Sequence, residues 1–227
     1  MNEYPKIETV WNRDLATKRV RPGEYRLEEF ALIRRWLVTE KIDGTNIRIG
    51  LTAEGTLDIG GRTDAAQVPT PLLAHLMTTF AADALKAKFW TDGQPVAFTI
   101  FGEGYGPKIQ NGGDYSPVPR FRIFDVLVGE WWLRPDAVAD VAATFGVKTV
   151  PVLGTFDTIP TNAVELAVII DQSRVSPEDG GPGKRAEGIV ARAEPILLTR
   201  RGERLLWKLK FRDFGAPPPQ HPHTERT

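Results

Sequence analysis

The sequence predicts an α+β fold in which antiparallel sheets are flanked by helices. Strand-like segments follow each other through short turns, as residues 46–51 and 57–61 do across the Glu54-Gly55 pair. Helical patterns are few and stand apart, so the chain lacks the regular alternation of strand and helix that builds a parallel sheet. With 227 residues, the chain can bury one core and is too short for two full-sized domains.

Hydrophobic periodicity and turn residues predict the individual elements in order. Apolar or alternating runs predict strands at 35–42, 46–51, 57–61, 96–101, 121–128, 131–133 and 148–153. Apolar residues near a 3.6-residue period predict a helix over 71–89, and Pro135 starts a second helix that ends at Phe145. Thr161 or Asn162 caps a third helix that ends at Ile170. The remaining predictions are a loop at 173–183 and two or three final strands, at 188–193, 196–200 and 205–211.

The end of the sequence is rich in proline and differs in composition from the rest. Residues 215–227 hold three consecutive prolines and a polar end, which predicts a disordered tail. We therefore expect a single domain over residues 1–214.

The composition excludes several kinds of chemistry. No cysteine is present, so disulfides, thiolate catalysis and cysteine-based zinc sites are ruled out. Of the three histidines, His221 and His223 lie in the predicted tail, which leaves little scope for a histidine-based metal site or triad. No apolar run approaches the ~20 residues that span a bilayer, and the N-terminus lacks the apolar region of a signal peptide. We therefore expect a soluble, cytoplasmic protein of phage or bacterial origin that does not bind membranes.

The overall charge is balanced, with 29 basic and 29 acidic residues. This balance argues against a protein that coats nucleic acid by bulk charge. Two local basic clusters nevertheless occur, and each is either a solvated face or a contact for a polyanion. The first basic cluster comprises Arg13, Lys18, Arg19, Arg21 and Arg26, and the second comprises Arg200, Arg201, Arg204, Lys208, Lys210 and Arg212.

One lysine stands where a strand meets a glycine turn, in the segment Glu40-Lys41-Ile42-Asp43-Gly44-Thr45-Asn46. A lysine at the end of an apolar strand can point into a cleft while its backbone stays fixed. Lysine acts as a nucleophile when cationic neighbours or desolvation favour the neutral amine. The pattern by itself is equally that of a hairpin turn with a surface lysine.

A second group of charged residues lies near the end of the chain. Lys208 and Lys210 alternate with Trp207 and Leu209, so both lysines should share one face of a strand. Two ammonium groups on one face suit a triphosphate, although the same pattern also fits the solvated edge of a half-buried strand. Glu187 precedes an apolar strand, and a carboxylate placed in this way can hold Mg²⁺ together with substrate phosphates.

Taken in order, six segments resemble the motifs of the covalent nucleotidyltransferase superfamily, which contains polynucleotide ligases and mRNA capping enzymes. The segment from Glu40 resembles motif I, and the others are Gly61-Arg62-Thr63, Phe101-Gly102-Glu103-Gly104-Tyr105-Gly106, Phe121-Arg122-Ile123-Phe124-Asp125, Glu187-Gly188-Ile189-Val190 and Trp207-Lys208-Leu209-Lys210. They span residues 40–210. Thr45-Asn46 and the glycine-rich third segment look most like ATP-dependent RNA ligases of the phage nick-sealing and RNA-editing branch. The resemblance implies an ATP-grasp-like ligase adenylylation (nucleotidyltransferase) domain.

The resemblance also implies a catalytic mechanism of RNA repair. Lys41 would attack the α-phosphate of ATP and carry AMP as a lysyl-adenylate, with Asp43 in the same motif. Lys208 and Lys210 would bind the phosphates and assist catalysis, and Glu187 would hold Mg²⁺ or Mn²⁺. AMP would then pass to an RNA 5′-phosphate, and a 3′-hydroxyl would displace it, with DNA ends as a possible substrate.

Five further residues would bind the nucleotide or the ends according to the resemblance. Glu40 would accept a hydrogen bond from the adenine amino group, and Glu103 would bind the ribose hydroxyls. Arg62 would contact the adenylate or the 5′-phosphate end, and Asn46 would support reaction of the ends. Phe124 would stack on adenine, although its apolar surroundings in the sequence equally fit a core residue. Asp125 matches an acidic residue of the family without an assigned role.

The sequence departs from the family pattern in two places. Asp43 stands where nick-sealing RNA ligases often have histidine, whereas aspartate is common in other RNA ligases, DNA ligases and capping enzymes. Only 17 residues of the 227 follow Lys210, so we expect a nucleotidyltransferase domain without a C-terminal domain. Contact with nucleic acid would then come from its own surface, for example the first basic cluster, or from a protein partner.

The alternatives to an RNA ligase come from several classes. A minimal DNA ligase or a capping guanylyltransferase would share the motifs. A nucleotide- or end-binding module that needs a partner for sealing would bind ATP without covalent transfer. An unrelated α+β domain would match the motifs by chance.

Overall fold

The computed structural model describes residues 1–172 and 186–217. Within them the chain forms two compact units, each with its own sheet and core. The six-stranded unit contains residues 1–5 and 43–150, and the four-stranded unit contains 6–42, 151–172 and 186–217.

The described part of the chain contains strands, four α-helices and three 3₁₀ turns. The strands are β1 (Trp11–Arg13), β2 (Val20–Tyr25), β3 (Trp36–Lys41), β4 (Thr45–Leu51), β5 (Leu57–Gly60), β6 (Phe98–Tyr105), β7 (Arg120–Val128), β8 (Trp131–Trp132), β9 (Lys148–Thr149), β10 (Val152–Phe156), β11 (Gly188–Ala193) and β12 (Leu206–Lys210). The helices are α1 (Thr70–Thr79), α2 (Ala82–Phe89), α3 (Pro135–Thr144) and α4 (Ala163–Gln172), and the 3₁₀ turns are Glu28–Leu32, Gly112–Asp114 and Phe211–Phe214.

The six-stranded unit is a sheet with helices packed on one face. Its strand order is β5-β4-β6-β7-β8, all antiparallel, and β9 adds a short parallel pair to β7. Alternation along β4 turns Ile47 and Ile49 toward the core, where they meet Leu72 and Leu76 of α1. The same alternation turns polar side chains of β4, β6 and β7 to the opposite face, where candidate site residues lie.

The four-stranded unit has an antiparallel sheet of order β10-β3-β11-β12 and a separate β1-β2 ribbon. Its core includes Trp36, Ile189 and Trp207 from three adjacent strands, and α4 adds Leu166. Asn162 caps α4 as predicted, because its Oδ1 accepts hydrogen bonds from the backbone N–H groups of Val164 and Glu165. The α+β class with antiparallel sheets and flanking helices is therefore confirmed.

The prediction of one helix over 71–89 is wrong, because the segment forms α1 and α2 with a break at Phe80. Phe80 has φ −110° and ψ 83°, and its fully buried ring packs against Phe121 and Phe145. The hydroxyls of Thr78 and Thr79 donate to backbone carbonyls four residues earlier, a bond that is known to bend helices. Burial of the Phe80 ring thus overrides the helical period of the sequence.

The predicted strand over 148–153 is also wrong, because it is two short strands that pair with different partners. Proline has no N–H for a ladder bond, and Pro151 separates β9, which pairs with β7, from β10, which pairs with β3. Residues 196–200 form no strand, although Leu198 and Arg204 form an isolated bridge and the Leu205 N–H donates to the Leu197 carbonyl. The predicted loop over 173–183, up to Gly183, lies outside the described residues, as does the tail from residue 218 onward. No helix in the described ranges is long and apolar enough to cross a membrane.

Candidate active site

In the four-stranded unit, the three candidate lysines lie on one face of the sheet. The register pairs Gly188 of β11 with Lys41 on one side and with Lys210 on the other. Two residues further along β11, Val190 pairs with Thr39 of β3 and with Lys208 of β12. Because residues two apart in a strand share a face, Lys41, Lys208 and Lys210 all project to the same side.

Glu187 joins two of these lysines through its carboxylate. Its Oε2 lies 2.7 Å from Lys41 Nζ, and its Oε1 accepts a hydrogen bond from Lys210 Nζ. The side chains of all three residues are largely buried, with between 12% and 21% of their surface exposed. Arg212 Nη2 lies 3.9 Å from Oε1 and is mostly exposed. We call Lys41, Glu187 and Lys210 the lysine–glutamate cluster.

Backbone hydrogen bonds fix Glu187 beside both neighbouring strands. Its N–H donates to the Lys41 carbonyl at 3.0 Å, and its own carbonyl accepts from the N–H of Phe211 at 3.3 Å. A Cβ on the next residue, Gly188, would collide with the Leu209 carbonyl and lie 2.7 Å from Lys210 Cα. Glycine is therefore required here because β12 comes so close to β11, and no side chain separates Lys41 from Lys210.

Burial and charge act together on the pKa values of the lysine–glutamate cluster. Burial alone would raise the pKa of Glu187, but the Lys41 charge and the hydrogen bonds from Lys210 and Lys41 outweigh it, so its pKa lies below the ordinary 4.5. Burial, followed by the positive charge of Lys41, lowers the pKa of Lys210 below 10.5, and Glu187 offsets part of this effect. The two lysines thus favour the charged form of the Glu187 carboxylate that lies between them.

Glu40 lies on the other face of the same sheet. It pairs with Ile189, on the side where Trp36 and Val38 enter the core, and it is 3% exposed. The carboxylate thus points away from the face that carries Lys41. A nucleotide on the Lys41 face would meet the backbone of Glu40 rather than its side chain.

In the six-stranded unit, Asn46 and Glu103 are direct cross-strand partners on β4 and β6. The Asn46 Oδ1 is buried and has no hydrogen-bond partner among the described residues. A Cβ on Gly44 would collide with the Gly104 carbonyl and lie 3.0 Å from Glu103 Cγ. Glycine after Asp43 therefore allows the close approach of β6, which brings Glu103 beside the start of β4.

Asp43 is partly exposed and bonds to a residue outside the predicted motifs. Its Oδ2 accepts a hydrogen bond from Asn111 Nδ2 at 2.7 Å. Asn111 follows a tight turn in which Lys108 and Gln110 have positive φ angles. This turn fixes the orientation of the Asp43 carboxylate.

Phe124 occupies a β-bulge rather than the core. Phe101 pairs with Asp125 and Gly102 pairs with Ile123, so Phe124 is the extra residue on β7. A bulge changes the direction of a side chain, and Phe124 is partly exposed. The Tyr4 ring contacts it edge-on, with 5.0 Å between ring centroids.

Arg62 is exposed and makes no hydrogen bond or ion pair with the side chains and backbone described here. Its loop is held by Arg48, which is 1% exposed. Arg48 Nε donates to the Gly61 carbonyl at 2.7 Å, and Nη2 lies 2.7 Å from Asp64 Oδ1. A buried arginine thus fixes both sides of Arg62 and leaves its guanidinium accessible.

Sequence reasoning did not identify Tyr4, Arg48 or Asn111. Arg48 did leave a signal, because a charged residue between Ile47 and Ile49 faces away from the core in an alternating strand. Tyr4 gave no signal, because it contacts residues of β6 and β7, which are far from it in the sequence.

The two units each bring together half of the ten predicted residues. The four-stranded unit holds Glu40, Lys41, Glu187, Lys208 and Lys210, and the six-stranded unit holds Asp43, Asn46, Arg62, Glu103 and Phe124. Within the described ranges, no group of three or more His, Asp or Glu side chains could hold a metal ion. A divalent cation bound by Glu187 would therefore need phosphate oxygens or water as its other ligands, which is how proteins commonly bind Mg²⁺.

Comparison with known proteins gives matches of two kinds. The model of the RNA ligase family matches residues 34–210. A Naegleria gruberi RNA ligase has a similar solved structure, with a TM-score of 0.59 and 15% identity over 91% of this chain and 61% of that chain. An archaeal ATP-dependent RNA ligase gives a TM-score of 0.58 and 18% identity, over 94% of this chain and 49% of the other.

Another structure of the Naegleria ligase, a variant with ATP and Mn, gives a TM-score of 0.56 and 16% identity, over 90% of this chain and 59% of that one. The search of curated proteins gives no match. The chain thus spans about half to three-fifths of the length of these solved relatives.

Proposed function

The chain belongs to the RNA ligase family, and on that premise we propose that it is an ATP-dependent RNA ligase that forms a lysyl-AMP at Lys41. The observation that carries this proposal is the lysine–glutamate cluster. Lys41 and Lys210 share one face of the sheet, both contact Glu187, and Lys208 lies two residues from Lys210 on the same side.

In the first step, the Lys41 amine attacks the α-phosphorus of ATP. A nitrogen–phosphorus bond forms, the α–β anhydride bond breaks, and pyrophosphate leaves with the electron pair. The amine must lose its protons for this step, and in the structure it is ion-paired with Glu187. The cationic side chains of Lys208 and Lys210 stabilise the negative charge that develops on the phosphates.

Glu187 has two functions in this proposal. It positions Lys41 and Lys210 before ATP binds, and it supplies the carboxylate for a divalent cation when the lysines turn to the phosphates. Bound Mg²⁺ or Mn²⁺ would neutralise phosphate charge and orient the pyrophosphate for departure. Because Glu187 would be the protein ligand of the cation, its other ligands would be oxygens of the substrate.

Residues of the six-stranded unit bind the nucleotide and the ends. Phe124 stacks on adenine from its bulge, Glu103 accepts from the ribose hydroxyls, and Arg62 binds the adenylate or the 5′-phosphate. Asn46 supports the reaction of the ends, and its buried, unpaired Oδ1 is consistent with a group that awaits a donor from substrate. For Glu40, the face on which it lies favours a contact through its backbone.

The second and third steps join nucleic-acid ends. AMP passes to a 5′-phosphate and forms a 5′-5′ pyrophosphate link, after which a 3′-hydroxyl attacks that phosphate and AMP leaves. We assign adenylylation to residues 1–214 and treat 215–227 as a tail. A partner protein would supply further contacts with the strand for sealing.

Intact mass spectrometry after incubation with ATP and Mg²⁺ tests the proposal. The wild type should gain the mass of one AMP, and Lys41→Ala should gain none. Lys6→Ala is the matched control, because Lys6 is an exposed lysine paired with Glu8 outside the cluster. GTP in place of ATP should give no adduct.

The result without an adduct also has a clear meaning. If the wild type binds ATP saturably but gains no mass, even after treatment with pyrophosphate to remove bound AMP and fresh exposure to ATP, the autonomous ligase is contradicted. A binding module that needs a partner would then be favoured. Assays on nicked and single-stranded RNA and DNA would identify the substrate once the adduct is seen.

A further inference from the structure

Two of the candidate lysines lie on β12, which is the last strand at one edge of its sheet. The outward backbone N–H groups of an edge strand need partners other than a neighbouring strand of the sheet. The Lys208 N–H donates to the Glu8 carbonyl at 3.0 Å, and the Lys210 N–H donates to Asp213 Oδ2 at 2.9 Å. The backbone of both lysines is therefore held from outside the sheet, and at Lys210 the acceptor is a charged side chain.

Asp213 lies in the 3₁₀ turn Phe211–Phe214, directly after β12, and is 2% exposed. While its Oδ2 accepts from the Lys210 N–H, its Oδ1 lies 2.7 Å from Arg13 Nη2. A buried carboxylate is costly unless it is paired with a cation and hydrogen-bonded. Arg13 supplies this charge, so the pair differs from an ordinary ion pair between two exposed side chains.

Arg13 is itself held in a fixed position. Its Nη1 donates to the Lys18 carbonyl at 2.6 Å, which ties the guanidinium to the β1-β2 ribbon. The ribbon is anchored in the core of the unit by Trp11, which is 3% exposed and whose Nε1 donates to the Pro160 carbonyl at 2.9 Å. The ribbon therefore gives Asp213 a stable partner, and through Asp213 it reaches the end of β12.

The position of the Lys210 backbone matters for the lysine–glutamate cluster. The Lys210 ammonium group donates to Glu187 Oε1, and the other oxygen of Glu187 lies 2.7 Å from Lys41 Nζ. The Lys210 side chain is 12% exposed, so it has little room for adjustment. A shift of its backbone would move the ammonium group relative to Lys41, and small misplacements of a group that assists a reaction are costly in rate.

We propose that Asp213 and Arg13 are positioning residues for AMP transfer, which fix the backbone of Lys210 so that its ammonium group meets the phosphates of ATP. The inference rests on the proposed function, because it takes Lys210 to assist the attack by Lys41. Asp213 acts through Lys210 and does not touch the nucleotide. The cap of a turn ordinarily contributes to stability, and here it also affects the reaction rate because the capped residue is Lys210.

The test compares two aspartate variants with the same chemical change. Asp213→Asn removes the charge that pairs with Arg13 and keeps the size of the side chain. Asp14→Asn is the matched control, because Asp14 pairs with Arg21 at 2.8 Å and its side-chain bonds in the described structure all lie within the β1-β2 ribbon. Single-turnover AMP uptake, followed by intact mass at several ATP concentrations, gives the amplitude, the maximal rate constant and the ATP concentration at half the maximal rate.

Asp213→Asn should lower the maximal rate constant about tenfold and change the half-maximal ATP concentration by less than about twofold, because Lys210 acts most strongly on the charge that develops on the leaving pyrophosphate. Asp14→Asn should keep both values. A purely structural role would lower only the amplitude, since fewer molecules would be folded. An unchanged rate constant in Asp213→Asn would therefore overturn the proposal, whatever its amplitude.

Variants of Arg13 test the same contact if Asp213→Asn does not fold. Arg13→Gln leaves Asp213 in place, and the Arg13 side chain is 38% exposed. This variant should transfer AMP several-fold more slowly, whereas Arg13→Lys keeps a cation for Asp213 and should come within about twofold of the wild-type rate constant. Equal rate constants in Arg13→Gln and the wild type would overturn the proposal.

A Lys210→Ala background shows whether Asp213 acts through Lys210. In this background Asp213→Asn should slow AMP uptake by less than about twofold, because two residues that act as a unit are not additive. An equal loss in both backgrounds would overturn the proposal. A wild type that gains no AMP would contradict the proposed function and this inference together, whereas an unchanged rate constant in Asp213→Asn, with a wild type that does gain AMP, would overturn this inference alone.

Discussion

Glu187 holds Lys41 and Lys210 at once, one on each carboxylate oxygen, across the position of Gly188 in the sheet. The two ammonium groups would repel each other without this carboxylate between them. The same contact keeps the proposed nucleophile in an ion pair until substrate phosphates compete for the lysines. One acidic side chain thus organises the face of the four-stranded unit that carries the lysines.

Replacing Glu187 with glutamine should therefore harm both stability and activity. The change leaves two largely buried lysines without their counter-charge, and we expect the free energy of unfolding to fall by about 2 kcal/mol. Urea denaturation measures this, with the exposed Glu203→Gln as the matched control. AMP uptake should also fall strongly, and a variant with unchanged stability and unchanged uptake would contradict the role of Glu187.

The pH dependence of stability offers a second test of the same contact. The pKa of Glu187 is lower in the folded protein than its ordinary 4.5, because Lys41 and Lys210 outweigh its burial. The unfolded chain therefore binds more protons in this range, so the contribution of Glu187 is complete above about pH 4.5 and disappears as pH falls through the folded pKa. The stability difference between wild type and Glu187→Gln should shrink below pH 4.5, and a constant difference would count against the ion pairs.

Gly188→Ala should disrupt the row of lysines. The added Cβ would collide with the Leu209 carbonyl, which belongs to backbone and cannot turn aside. We expect a loss of about 1 to 3 kcal/mol in the free energy of unfolding and slower AMP uptake, because β12 must move away from β11. Gly113→Ala is the control, since its Cβ would have its nearest neighbour at 3.5 Å. If Gly188→Ala and Gly113→Ala show similar free energies of unfolding and similar AMP uptake, the close approach of β11 and β12 is unimportant.

Tyr4 should affect the nucleotide through Phe124. Its hydroxyl donates to Asp125 Oδ2 at 2.5 Å, and its ring packs edge-on against Phe101 and Phe124. Tyr4→Ala removes the ring and should raise the KM for ATP several-fold, by loosening the aromatic platform. Tyr4→Phe keeps the ring and should leave KM near the wild-type value. Equal KM values for ATP in the wild type and both variants would show that Tyr4 does not contribute to nucleotide binding.

The strands that carry the lysines could be predicted from the sequence because apolar and charged residues alternate strongly in them. In β12, Trp207 and Leu209 alternate with Lys208 and Lys210, and the structure keeps that alternation. The same alternation predicted that Glu40 lies in a strand. It could not predict the face of the sheet to which the Glu40 side chain projects, because that depends on the strand register. Side-chain period alone does not reveal which face of β3 meets the core.

Other features depend on contacts between distant parts of the chain, which local patterns do not show. The break between α1 and α2 follows from the burial of Phe80 against Phe121 and Phe145. The ion pairs of Glu187 require strands that are more than a hundred residues apart in sequence, β3 and β11, to lie side by side. The bulge at Phe124 is a mismatch between β6 and β7, so it has no signature within either strand.

The most direct test of the central claim is to locate the AMP. The protein is incubated with ATP and Mg²⁺, digested, and its peptides are analysed by tandem mass spectrometry. The lysyl-AMP mechanism predicts one adduct, on Lys41, and none on Lys208 or Lys210. AMP on a different lysine, or no adduct on any peptide from a protein that binds ATP, would contradict the assignment of Lys41 as the nucleophile.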